Sequence, residues 1–178
     1  PQPAEEGQDV RERGRLKFTA DALDFFSEEG EAGVSASNRI KGVVLHDILS
    51  RVIVPEDLQK AVRKSLQSGE MNAAEADEAS SLLSERIAGA VARGWFPDKA
   101  DRILNESTLI DTDGQMYRPD RVVISDGKVV IIDYKFGEHH RKYERQVKRY
   151  MDMWRRMGYK NVSGFLWYLD SGNIVELR

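Results

Sequence analysis

Four apolar residues in a row, Val129-Val130-Ile131-Ile132, are bounded on one side by Asp126-Gly127 and on the other by Asp133-Tyr134-Lys135. A run that is apolar at odd and even positions alike has no face to offer water, so it predicts a central strand covered on both sides. Asp-Gly between two strand-like runs is a strong signal for a two-residue hairpin turn. Residues 115–124 and 128–136 are therefore expected to pair antiparallel, with Ser125 facing Lys128. That register sets Asp120 opposite Asp133. Directly opposed residues have Cβ atoms ~4.5–5.5 Å apart, and like charges so placed repel.

Two opposed carboxylates call for a compensating cation. Lys135, two residues beyond Asp133, shares its face of the strand. A buried strand that delivers two acids and a lysine to its exit can hold a hard divalent cation beside a charge-stabilising ammonium. The same residues also read as a solvated sheet end with Lys135 as an ordinary ion-pair partner. A bulge at the turn would separate the carboxylates. Pro119 donates no ladder bond, so its strand is either an edge there or leaves the sheet just before Asp120.

Two further turns, Asp113-Gly114 and Ser171-Gly172, separate strand candidates over 102–110, 164–169 and 173–177, and one helix is expected over 141–157. Before Gly94 the spacing is helical: 19–29 with Leu23, Phe25 and Phe26 after a Thr19 cap, 38–54 after an Asn38 cap, 55–67, and 72–93. Hairpins joined through a helix give an α/β class with a mixed central sheet flanked by helices and preceded by a helical region. Residues 1–15 are polar and aperiodic and are expected to be a disordered leader or linker. One domain is expected over 16–178, helical to about 94 and sheet-forming from about 95.

With 40% hydrophobic and 32% charged residues the chain is globular rather than disordered. No apolar run approaches the ~18 residues of a membrane span, and the first residues lack a signal-peptide apolar region, so a cytoplasmic, non-membrane protein is expected. The absence of cysteine excludes disulfides, zinc-thiolate sites and iron–sulfur clusters, leaving oxygen and histidine as metal donors. A first residue Pro1 suggests a piece of something longer. The net charge of −3 is unevenly spread: residues 139–160 carry +6, leaving −9 for the rest. Exposed helices often carry like charges, but a basic helix is also an electrostatic footprint for nucleic acid.

The passage Arg118-Pro119-Asp120-Arg121, followed by Asp126-Gly127 and the run to Asp133-Tyr134-Lys135-Phe136-Gly137, resembles the core motifs of the PD-(D/E)XK nuclease superfamily. Within it the chain resembles the RecB-type nuclease domains at the C-termini of bacterial helicase-nucleases of the RecB and AddA kind. Gln146 and Tyr150 reproduce a Gln-x-x-x-Tyr signature, and His46 resembles an upstream helical histidine. One departure is Tyr117-Arg118-Pro119, where the family often has glycine before the first acid.

The resemblance implies a restriction-endonuclease-like fold and phosphodiester hydrolysis. Asp120, Asp133 and Lys135 would be catalytic. His46, Asp120, Asp133 and the main-chain carbonyl of Tyr134 would ligate Mg²⁺, with Mn²⁺ a substitute. Glu106 matches a glutamate often found on the preceding strand, and is equally readable as an exposed strand carboxylate. Gln146 would reach the site or the DNA. Arg145, Lys148 and Arg149, with Arg155 and Arg156, would contact phosphates.

Tyr150 also belongs to a stripe, Tyr143, Val147, Tyr150, Met151 and Trp154, that reads as core. Gly42 reads either as incidental or as allowing close approach to the sheet, and His139 and His140 are read as loop residues. No Walker A loop is present, so any helicase motor lies in an N-terminal part outside this chain, and a second helicase-nuclease subunit is a further implied partner. Two rival functions are a nuclease fold that only binds DNA and a protein-interaction domain.

Overall fold

The computed structural model describes residues 36–178, with side chains from residue 41 onward. The leader expected over 1–15 and the helix expected over 19–29 lie outside the described residues. The helices are α1 (Ala36–Ser50), a 3₁₀ turn (Pro55–Asp57), α2 (Leu58–Gln67), α3 (Ala73–Val91) and α4 (Arg141–Arg156). The strands are β1 (Arg102–Asn105), β2 (Leu109–Ile110), β3 (Met116–Tyr117), β4 (Arg121–Ser125), β5 (Lys128–Lys135), β6 (Asn161–Tyr168) and β7 (Ile174–Leu177).

Asp126 and Gly127 both take positive φ, 51° and 71°, the type I′ geometry whose twist matches the strands it joins. The turn holds β4 against β5 in the expected register, from Ser125 opposite Lys128 to Arg121 opposite Ile132. The five-stranded sheet has the order β1-β4-β5-β6-β7, antiparallel except for the parallel β5–β6 pair, which needs the α4 crossover. β5 is thus the central strand.

Its alternate side chains feed two cores. Val123, Ile132 and Tyr134 pack with Val44, Ile48, Leu83 and Ile87 of α1 and α3, while Val122, Ile124, Val129 and Ile131 pack with Val147, Tyr150, Met151 and Trp154 of α4. This two-sided cover is why the run 129–132 is apolar at every position. On α4, each buried aliphatic or aromatic side chain contributes about 1.5–3 kcal/mol before conformational entropy is counted. Opposite them stands Gly164 on β6. A Cβ there would lie 2.6 Å from Met151 Sδ and 2.7 Å from Val147 Cγ1, so the helix packs directly on bare backbone.

Several expected boundaries are corrected. The strands expected over 102–110 and 115–124 each break in two. Glu106 takes a φ of 47°, and Pro119 has no N–H to give a ladder, so the chain leaves the main sheet there and β2 and β3 form a separate two-stranded ribbon. The strand expected from Gly164 begins at Asn161. Helix α1 already includes Asn38, which is therefore not its cap, and it ends at Ser50 rather than 54. Val54 is extended, with φ −117° and ψ 158°, as Pro55 requires of the residue before it. Helix α3 starts where expected, with Asn72 Oδ1 accepting from Glu75 N–H at 3.0 Å and Glu75 Oε2 accepting from Asn72 N–H at 2.8 Å. Among the described residues no helix is long and apolar enough to cross a membrane.

Candidate active site

The charged end of β5 is buried: Asp133 is 2% exposed, and Asp120, just before β4, is 5% exposed. The ladder stops one pair short of opposing these two acids, because β4 begins at Arg121. The expected direct cross-strand pair is replaced by another link, in which Tyr134 N–H donates to Asp120 Oδ2 at 2.6 Å. Glu106 N–H donates to the Asp120 carbonyl at 3.0 Å. Backbone and side chain of Asp120 are thus both held by main-chain donors.

Helix α1 brings His46 to the same place. Its Nε2 lies 2.8 Å from Asp120 Oδ1 and its Nδ1 lies 3.2 Å from Glu106 Oε1. The ring also stands edge-on to Tyr134 at 5.8 Å between centroids. One turn earlier, a Cβ on Gly42 would lie 3.3 Å from Phe136 Cδ2, so glycine does permit a close crossing of the end of β5. Glu106 is a partner of the histidine, not an exposed strand carboxylate.

From the other side α4 supplies Gln146. Lys135 Nζ is 2.7 Å from Asp133 Oδ2 and donates to Gln146 Oε1 at 3.4 Å, while Gln146 Nε2 donates to the Tyr150 hydroxyl at 2.8 Å. The Tyr143 ring lies 4.6 Å from Lys135 Nζ, a cation–π contact that the stripe reading of Tyr143 as core did not foresee. Tyr150 is both buried core and a member of this polar chain.

The charges shift one another strongly. Burial alone would lower the His46 pKa, but the Asp120 charge and hydrogen bond, joined by Glu106, outweigh it and raise the imidazole to about 10. Asp120 goes the other way: burial works upward, and His46 outweighs it and holds the carboxyl below its usual range. Burial pushes Asp133 up to about 6, with Asp120 adding to the rise and Lys135 opposing it.

Two carboxylates, an imidazole and a main-chain carbonyl are a donor set that suits a hard divalent cation. Asp133 Oδ2 is a buried oxygen reached by no hydrogen bond of good geometry, although the Lys135 ammonium lies beside it. An acceptor in that condition fits a cation. The side chains do not converge as a finished cage: His46 Nε2 and Asp120 Oδ1 face each other at 2.8 Å. The fit is one of chemistry and proximity.

On α4, Arg145 and Lys148 are exposed. Arg149 is exposed as well but is engaged with the fold: Nη1 donates to the Tyr117 hydroxyl at 2.6 Å and the guanidinium lies over that ring at 5.3 Å. Arg156 donates to Asp111 at 2.8 Å and Arg155 to Asp152 at 2.9 Å. Arg149 and Arg156 thus tie the β2–β3 ribbon to α4. His139 sits in the loop before α4, 2.9 Å from both the Tyr168 hydroxyl and Glu144 Oε1.

Two residues beside the site carried no assigned role in the sequence reading. Arg121 is 0% exposed, next to Asp120, and its cross-strand partner is Asn105. Only their neighbours in space give them meaning, and spacing along the chain carries no sign of it.

Comparison with protein families matches residues 13–176 to the PD-(D/E)XK nuclease superfamily. The chain belongs to that superfamily, and its sheet flanked by helices is a restriction-endonuclease-like fold that makes it a nuclease-type domain. The crystal structure of SSO0001 is similar at a TM-score of 0.31 and 12% identity over 82% of this chain and 78% of that one, a likeness too weak to bear on fold or function. No curated protein matches the chain.

Proposed function

We propose that the chain is a metal-dependent DNA nuclease, the nuclease part of a RecB- or AddA-like helicase-nuclease of the bacterial cytoplasm that works in DNA repair and recombination. The observation that carries the reading is the gathering of Asp120, Asp133 and Lys135 at the end of one hairpin with His46 delivered to Asp120 at 2.8 Å. His46, Asp120, Asp133 and the Tyr134 carbonyl would hold Mg²⁺ or Mn²⁺. When bound, the cation supplies Lewis-acid polarisation of the phosphodiester and lowers the pKa of an attacking water. Lys135 positions that water or neutralises charge developing on the phosphate, and Gln146 orients the ammonium. Asp133 and Asp120 fix the donors, and Tyr134 N–H keeps Asp120 turned toward them.

Arg145 and Lys148 contact backbone phosphates of DNA. A helicase motor N-terminal to this domain, and a second helicase-nuclease subunit, belong to the same proposal and rest on motif resemblance. The pairing of His46 Nε2 with Asp120 Oδ1 at 2.8 Å, which occupies two of the donors, favours one alternative, a nuclease fold that binds DNA without cutting it. Incubating the chain with single- and double-stranded DNA and Mg²⁺ or Mn²⁺ separates the two. Cleavage that stops in Asp133→Ala supports the nuclease; DNA binding with no cleavage in either protein leaves the binding module.

A further inference from the structure

Helix α1 ends at Ser50, and its last carbonyls have no main-chain partner within the helix. Asp47 O accepts from Ser50 Oγ, and Ile48 O and Leu49 O accept from the N–H groups of Arg51 and Val52. Ser50 O, with Val52 O and Ile53 O of the segment that follows, is taken up by side chains of the sheet. Asn105 Nδ2 donates to Ser50 O at 2.9 Å and to Val52 O at 3.0 Å. Arg121 Nη1 donates to Val52 O at 2.7 Å and to Asn105 Oδ1 at 3.1 Å, and its Nη2 donates to Ile53 O at 2.7 Å. Nε donates to Trp95 O at 2.8 Å, and the guanidinium stacks 4.0 Å from the centre of the Phe96 ring.

A guanidinium taken wholly out of water is costly unless its donors are met. Here main-chain carbonyls and an amide meet four of its five N–H donors and an aromatic face covers the plane, and no carboxylate pairs with it among the described residues. Such a fork has one geometry, so it sets the end of α1 rigidly against β1 and β4. The adjacent residue, Asp120, holds the same helix through His46 Nε2 at 2.8 Å.

We infer that Asn105 and Arg121 are positioning residues: they clamp the carbonyl end of α1 to the sheet and so set the helix where His46 meets Asp120 and Glu106. The clamp is a statement about this chain's own geometry; only its effect on metal affinity rests on the proposed nuclease reading.

Asn105→Leu removes the amide while keeping much of its volume, and Asn105→Ser serves if that variant does not fold. Two readouts are taken on metal-free protein and one with Mn²⁺. The first is the ring N–H resonance of His46, expected to be protected by its bond to Asp120 and to be lost or broadened if the histidine drifts from it. The second is the thermal midpoint. The third is the Mn²⁺ dissociation constant by calorimetry, expected to rise roughly 10–100-fold, as for the removal of a residue that supports a ligand.

A lower midpoint with an unchanged His46 signal would overturn the clamp, because the bonds would then only stabilise the fold. If the wild-type chain shows no Mn²⁺ binding and no DNA cleavage, the nuclease reading fails. The His46 resonance still decides the clamp.

Discussion

Tyr134 donates its main-chain N–H to Asp120 Oδ2 at 2.6 Å, so the strand that carries Asp133 and Lys135 also orients the acid on its neighbour. Because Tyr134 is itself the residue whose carbonyl is proposed as a ligand, one peptide neighbourhood ties both acids together. Replacing Asp120 by Asn keeps the shape but makes one end of the side chain a donor, which opposes either the Tyr134 N–H or a protonated His46 Nε2. We expect Asp120→Asn to abolish measurable Mn²⁺ binding by calorimetry; retained affinity would remove Asp120 from the ligand set.

Lys135 is placed to act on charge that develops during the reaction rather than on binding. Lys135→Met is expected to lower kcat by on the order of 10²–10³ with little change in DNA affinity, the usual scale for losing one preorganised charge-stabilising donor. Single-turnover cleavage and a DNA-binding titration, run side by side, check it. An equal fall in affinity and in kcat would assign the lysine to binding.

The metal-free protein should lose stability as pH rises in two windows. The His46 pKa is raised in the fold from 6.5 to about 10, so its contribution is complete below 6.5 and disappears as pH climbs through 10. The Asp133 pKa is raised from 3.8 to about 6, so the fold favours its protonated form and stability falls as pH climbs from about 4 through 6. His46→Gln should flatten the upper window and Asp133→Asn the lower. Denaturation midpoints measured across pH in both variants test this, and an upper slope unchanged in His46→Gln would rule out the histidine as its source.

Metal and proton compete for one imidazole. At pH 8, Mn²⁺ binding should release about one proton from His46, seen as a dependence of the binding enthalpy on buffer ionisation enthalpy. Equal enthalpies in phosphate-free buffers of differing ionisation heat would mean that His46 does not ligate.

Gly164 is a packing requirement. Gly164→Ala places a methyl against Met151 and Val147 and is expected to destabilise by about 1–3 kcal/mol, the range for overpacking a filled core. Urea denaturation of Gly164→Ala alone and with Met151→Ala checks the cause, since trimming Met151 should recover part of the loss.

What was legible in the sequence divides by distance along the chain. The β4–β5 register was readable because a two-residue turn leaves the pairing little freedom, and the fully apolar run announced a strand buried on both faces. The α4 stripe was readable because period and burial coincide over its whole length. The break of the outer strands at Glu106 and Pro119 was only half readable: proline forbids a ladder bond, but nothing local tells that Glu106 adopts a left-handed backbone. Gly164 looked like a strand boundary, because a glycine needed for contact with a distant helix is written the same way as one that ends an element. Arg121 and Asn105 were invisible for the same reason, since their partners lie on α1 and near Trp95.

The Asp126-Gly127 turn also bears on the order in which the chain organises itself. Hairpins form in about 1–10 μs, so the strands bearing Asp120 and Asp133 can meet before the parallel β5–β6 pairing, which must await α4, and before α1 arrives from far upstream. Until His46 comes, the two acids have only partners within the hairpin itself, Lys135 and the Tyr134 N–H. Charge repulsion at the open end of the hairpin is therefore greatest before α1 docks, and the arrival of His46 beside Asp120 relieves it.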